Sequence, residues 1–556
     1  MAIARRQFLG SLGALGLAAL PRAALPEARD ATHATAVADL CGDGPRGTRL
    51  FIPGADGFLG RLAPGDDILK LDAVAVTPGH ASAATGFTLA YVATHRGGRY
   101  RNPTLQLERG ARLRVDFTNR TREPTIVHWH GLAVDTRNDG GGMVVVTPGE
   151  RYAYDFEVRD RGALYWYHPH PHGLTAAQAY RGLFGMIEVD DADHRRLREA
   201  LSLVPGKTEI ELVLQDRRGS AYAATADDRL HGYLGDTVLV NGGACPHLDV
   251  ATRIYRFRVL NASNARTYLL GLRAADGKAL PFTLIGNDAG LLAAPQRCEQ
   301  AYIATAERLD LLVDLADAAV GDTFVLETRA FDPMHMETSA AAVPSAAAPA
   351  MDHAAMGHSG PAPAPGAAAP VDHAAMGHGG SFPEGAPRAL LQLRVRQRMT
   401  YGAKVPDVLS SIAAIDFGSA IERPLRLGFA KGRWRINDRV FVMGETPIEI
   451  ARDTTEVWLL RNYFTSMPHA MHVHGFHFQV LERQTSPEQV AAFRIDATGR
   501  LATDLGWKDT VLVWPGESVK VAMNFALPFA GAQTYMVHCH NLEHEDGGMM
   551  LGMKVS

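Results

Sequence analysis

Four cysteines in 556 residues are too few to build a disulfide-held scaffold, so packed apolar cores have to carry this chain. No run of about eighteen or more apolar residues occurs, which excludes a helical membrane span. Neither sign of charge dominates: 56 Lys and Arg against 60 Asp and Glu leave a net charge of -4. Without a basic stripe there is no electrostatic footprint for nucleic acid. The 46% hydrophobic and 21% charged residues are ordinary for a folded chain, and the length exceeds one core, fitting about two to four domains.

At the N-terminus, "ARRQFLGSLGALGLAALPRAA" places Arg5 and Arg6 before a short, Gly-rich apolar stretch that ends at Pro21. This pattern predicts a twin-arginine export signal over residues 1–30, and with it passage through the twin-arginine machinery to the periplasm. An ordinary secretory signal is the alternative reading, and both take the chain out of the cytoplasm.

Period-two segments recur. "ARLRVDFTN", "IYRFRVLN" and "ESVKVAMNF" each alternate apolar with polar residues and are bounded by turn formers, which argues for antiparallel sandwiches or barrels. The helical stretch "DADHRRLREAL" reads as a linker between two of them. The expectation is an all-β chain of three domains, over residues 45–190, 195–400 and 401–556. Residues 334–380 are Ala, Pro and Gly with scattered Met and His, including "DHAAMGH" twice, and read as a disordered insertion. They interrupt "TFVLETRAF" and "ALLQLRVRQ", which would otherwise form a hairpin of the second domain. Met443, Met523 and Met553 sit in strand-like runs and are expected in the core. His172 and His477 are expected in ordinary hydrogen-bonding roles.

Four His-x-His pairs stand out: His128 with His130, His168 with His170, His472 with His474, and His538 with His540. On a strand, residues i and i+2 share a face, so each pair presents two imidazoles together. Eight imidazoles exceed the roughly four ligands of one zinc and suit a cluster of several metals, and imidazole binds copper well. Two pairs come from each end of the chain, so the first and last domains must meet at the cluster. Cys539 lies between His538 and His540, and its sulfur leaves the strand on the opposite face. His544 and Met549 follow at Cys-x4-His-x4-Met, and His469 can supply a second imidazole. Two His, one thiolate and a weak axial Met form the ligand set of a blue-copper electron-transfer site. One strand then serves two metal sites. With Cys539 so engaged, Cys41, Cys245 and Cys298 leave at most one disulfide, for which Cys245 with Cys298 is one candidate.

In "HWHGL", "YWYHPHPHGLTAAQAYRGLFG", "HAMHVHGFHFQVL" and "HCHNLEHEDGGMMLG", taken in order, the chain resembles the three-domain, laccase-like multicopper oxidases from about residue 85 to its end. The resemblance implies three cupredoxin-like Greek-key β-sandwich domains and four copper ions. His469, Cys539, His544 and Met549 match the type 1 ligands. His128 and His472 match the type 2 ligands, and His130, His168, His170, His474, His538 and His540 the type 3 pair. Glu545 and Asp139 match acidic positions to which the family assigns proton delivery during reduction of dioxygen to water. An ordinary turn residue is the alternative for Asp139.

Three readings of the electron donor compete. Export, the Met/His-rich insertion and Met467 and Met471 beside His469 favour Cu(I), because thioethers are soft donors that select it. Candidate contacts to such a substrate copper are Met334, His335, Met336, His353, Met356, His358, His373, Met376 and His378, besides Met467 and Met471. Met467 matches a methionine that helps hold substrate copper in the family's cuprous oxidases, whereas the neighbouring acid position is Thr465. The second reading is a phenol or aromatic amine docking at an exposed edge of His469. The third is copper storage by the "DHAAMGH" repeats, against which the complete ligand sets argue as a sole function.

Overall fold

The computed structural model describes residues 48–54, 57–77, 86–219, 221–336 and 382–556. The expected export signal, Cys41 and the insertion candidates His353, Met356, His358, His373, Met376 and His378 lie outside them. Among the described residues no helix is long and apolar enough to cross a membrane.

Six sheets pair into three β-sandwiches in chain order, each around its own apolar core. Alternation makes these strands: in Arg112–Arg120, Leu113, Val115 and Phe117 are buried while the residues between them are not. Each such side chain stabilises by about 1.5–3 kcal/mol. The linker helix Ala192–Ala200 starts where the Asp191 side chain accepts from His194 N. Thr323–Thr328 pairs antiparallel with Arg388–Gln397, and Thr328 sits opposite Arg388.

In Ile254–Asn261 both faces are buried, although the alternation looks half-polar. Tyr255, Phe257 and Val259 enter the core of the second sandwich, while Arg256 and Arg258 turn toward the first. Arg256 donates to Asp310 at 2.8 Å and lies 3.3 Å from Glu209. Arg258 lies 3.5 Å from Glu188 of the first sandwich. Glu209 also takes two bonds of 2.9 Å from Arg198 of the linker helix. An ion network thus fills the joint between the two sandwiches.

Two expectations are corrected. Cys298 is a free thiol and Cys245 is disulfide-bonded, so the Cys245–Cys298 pair does not form. Met523 and Met553 are core residues, but Met443 is 51% exposed, because its run ends in a turn closed by Glu445 N donating to Val442 O. Met467 and Met471 are 3% and 1% exposed inside the third core, where Met471 pairs in register with Cys539. Met467 also lines a small cavity with Phe331, Pro333 and Glu384.

Equivalent strand pairs of two sandwiches carry the histidines. In the first, Val127–His130 runs against Ala163–Pro169, with His128 opposite His168. In the third, His469–Val473 runs against Gln533–Cys539, with His472 opposite His538. Trp129 and Cys539, the residues between the paired histidines, point into their own cores. The histidines are left to face each other across the junction.

Candidate metal centre

The junction sorts the eight imidazoles into two triads and a pair. His168 Nε2 lies 3.4 Å from His130 Nδ1 and 3.4 Å from His540 Nε2. His538 Nε2 lies 3.0 Å from His474 Nε2 and 3.4 Å from His170 Nε2. The Nε2 atoms of His128 and His472 are buried and have no hydrogen-bond partner. Buried nitrogens without partners are costly unless something else binds them. Burial, and then the mutual charge of neighbouring imidazoles, holds His128, His130, His168, His170, His474, His538 and His540 well below the ordinary histidine range. Neutral imidazoles with converging lone pairs are what a metal cluster requires.

The far nitrogens fix the rings. His128 donates from Nδ1 to the carbonyl of Asp139 at 2.7 Å and His472 to that of Asp509 at 2.8 Å. His168 and His538 donate to the carbonyls of Pro169 and Cys539. His474 donates to the Asp139 carboxylate at 2.9 Å, and His130 Nε2 meets the Asp509 carboxylate at 3.1 Å. Such partners set tautomer and orientation.

On the other face of the same strand, Cys539 Sγ lies 3.5 Å from His469 Nδ1 and 3.6 Å from His544 Nδ1. Asn541 caps the helix Leu542–Asp546 by accepting from Glu543 N and His544 N, which turns His544 back onto the site. Met549 N donates to His544 O, and Cys539 N to Met549 O, so the loop closes on its thiol. Burial pushes the Cys539 thiol up to about 12, so metal binding has to displace its proton. The donor set of two imidazoles and a thiol, with Met549 buried in the same core, fits copper. The His469 site is closed to solvent, which corrects the exposed edge expected there. Its Nε2 meets Ser466 Oγ at 3.1 Å, and Trp434 packs 4.7 Å from it.

Both expected acids reach the cluster. Asp139 ends the helix Thr136–Asp139, and Glu545 lies 3.5 Å from His170 Nε2 and 3.3 Å from His538 Nδ1. Burial raises both carboxyls well above the usual range. A partly open cavity of about 740 Å³ at the junction of the first and third sandwiches is lined by Asp139, Gly141, Met143, Gln533 and Tyr535. Of the expected substrate-copper residues, Met334, His335 and Met336 are half-buried near the Cys539 site. Met336 N donates to Ser466 O at 3.0 Å, and His335 pairs with Glu384 at 3.2 Å. Asp509, Arg308, Ser466 and Trp434 were not anticipated. The one sequence signal for Asp509 was a Lys–Asp pair directly before the apolar strand Thr510–Val513.

Multicopper oxidase family profiles match residues 84–194 and 419–556. The McoA multicopper oxidase of Aquifex aeolicus superposes with a TM-score of 0.75 at 31% identity, covering 92% of this chain and 100% of that one. A multicopper oxidase of Staphylococcus haemolyticus is 26% identical over 83% of each chain. A laccase of Bacillus subtilis is 29% identical over 78% of this chain and 80% of its own. With sandwiches, histidine pairs and thiol site in the same order, the chain belongs to the multicopper oxidase family and is a copper-binding oxidoreductase.

Proposed function

We propose that the chain is an exported four-copper oxidase whose preferred electron donor is Cu(I), acting in periplasmic copper tolerance. In this reading His469, Cys539, His544 and Met549 hold a type 1 copper, His128 and His472 a type 2 copper, and the two histidine triads the type 3 pair. When bound, copper at these positions supplies one-electron oxidation of a donor and reduction of dioxygen to water. The chain contributes the rest. The backbone of residues 538–540 joins the two sites covalently. Asp139 and Glu545, whose carboxyls burial raises well above the usual range, are placed to hold protons beside the cluster for the four that water formation consumes. The cavity at Asp139 gives water a way in.

One observation carries the choice of donor. Met334, His335 and Met336 offer two thioethers and an imidazole on the segment that bonds Ser466, whose hydroxyl meets the outer nitrogen of His469. Soft donors there would seat Cu(I) one residue from the thiol site. A second reading, oxidation of phenols or aromatic amines, draws on Phe429. This ring is 38% exposed and packs 4.9 Å from Trp434, which touches both His469 and His544. The Bacillus subtilis relative named a laccase is consistent with it.

The test is oxygen uptake by the copper-loaded full chain on chelated Cu(I) and on a dimethoxyphenol, each with and without added Cu(II). The same assays on a Met334→Leu, Met336→Leu double variant follow. Fast uptake on Cu(I) that falls in the variant, with phenol turnover dependent on added copper, supports the cuprous reading. Fast phenol turnover without added copper, and no effect of the variant, replaces it with the laccase reading.

A further inference from the structure

The second sandwich supplies none of the histidines of the cluster and none of the groups of the Cys539 site, yet one of its arginines ends at the cluster. Arg308 is 1% exposed and uses all five of its N–H donors. Nε donates to Leu164 O of the first sandwich at 2.9 Å. Nη1 donates to Ala306 O at 2.8 Å and to Asp509 Oδ1 at 2.9 Å, and Nη2 to Asp288 O at 2.9 Å and to Asp509 Oδ2. The fork therefore touches all three sandwiches.

Asp509, fully buried, passes this constraint on. Its Oδ1 meets His130 Nε2 at 3.1 Å and accepts from Thr510 Oγ1 at 2.9 Å, while its main-chain oxygen accepts from His472 Nδ1 at 2.8 Å. One residue of the third sandwich thus orients a histidine of each kind: His130 from a triad and His472 from the unpartnered pair. Gly131 supplies independent support. At φ +87, a Cβ there would lie 2.6 Å from Asp509 Oδ2 and 3.0 Å from Arg308 Nη2, so the residue after His130 has to be glycine for this pair to approach.

We propose that Arg308 and Asp509 are a positioning pair that fixes His130 as its Nε2–H tautomer. Nδ1 is thereby left as the lone pair facing His168, and the second sandwich acts as a clamp on the cluster. The carboxylate does the orienting. The arginine fixes its plane and supplies the opposite charge that makes a buried Asp509 tolerable.

Two measurements test this. In metal-free full-length protein labelled with 15N-histidine, His130 is expected to be protonated at Nε2; protonation at Nδ1 overturns the proposal whatever the variants do. In Asp509→Asn and Arg308→Lys, Cu(II) is expected to bind the cluster about 10–100-fold more weakly. The electron paramagnetic signal of the His128–His472 copper should change, while the blue absorption of the Cys539 site persists as an internal check of folding. A full copper complement with an unchanged signal in both variants overturns it equally.

Discussion

Asp139 Oδ2 accepts a hydrogen bond of 2.9 Å from His474 Nδ1, so a carboxylate of the first sandwich orients a histidine of the third. Asp509 and His130 make the reverse connection at 3.1 Å. The two contacts cross the junction in opposite directions, and neither sandwich completes the cluster alone.

Asp139 is expected to do more than orient. Burial raises its carboxyl well above the usual range, and Oδ1 has no hydrogen-bond partner, so a proton can be passed on from there. Asp139→Ala should lower oxygen uptake by about 10²–10⁴-fold and leave the blue absorption in place. Steady-state uptake across pH, read beside that absorption, checks it. An unchanged rate and pH profile would leave Asp139 with orientation alone.

Cys539→Ser should abolish the blue colour and turnover while circular dichroism stays that of a β-protein, since serine is nearly isosteric in this buried position. Persistent turnover would mean that electrons reach the cluster without the sulfur.

Gly140 follows Asp139 with φ +68, and a Cβ there would overlap the carbonyl oxygen of Val127 and come within 3.0 Å of His128 N. The left-handed backbone alone costs a non-glycine residue about 1–3 kcal/mol. Gly140→Ala is expected to lower the melting temperature and to reduce copper in the cluster through displacement of His128. Calorimetry with metal analysis decides, and wild-type values of both would show that the turn can relax.

Glu209 links the ion network to acid stability. Burial raises its carboxyl, but Arg256, Arg198 and Arg258 outweigh this and hold it well below the usual value of 4.5. A depressed folded pKa contributes stability above the unfolded value and loses it as pH falls further. Wild-type protein should therefore lose stability progressively below about pH 4.5. Glu209→Gln should be destabilised by about 3–5 kcal/mol near neutrality and show a flatter slope in that acid range. Unfolding followed from pH 3 to 7 measures both, and parallel curves would remove Glu209 as the cause.

What could be read in the sequence follows from geometry local to a strand. His-x-His fixes two imidazoles on one face, and Cys539 between them fixes the thiol on the other, wherever the strand lies. The interrupted hairpin at Thr328 and Arg388 was legible for the same reason. Arg308 and Asp509 were not, because their meeting depends on how three sandwiches dock across 201 positions of chain. Met471, two residues from His469, lies opposite Cys539 in a core interior, which its spacing alone does not reveal. That both faces of Ile254–Asn261 are buried was not legible either, because alternation does not reveal that an ion network covers Arg256 and Arg258.

The register partners Thr328 and Arg388 hold two chain ends side by side at the rim of the second sandwich. On the way between them the chain is tied at Met336, whose N donates to Ser466 O, and at Phe382, which sits in the core of the second sandwich. Closing a longer loop costs only about 0.6 kcal/mol for each doubling. A segment lengthened between these two ties therefore adds little to the cost of the fold. If the proposed donor site does lie on this stretch, it can vary while the strands that carry the copper ligands stay as they are.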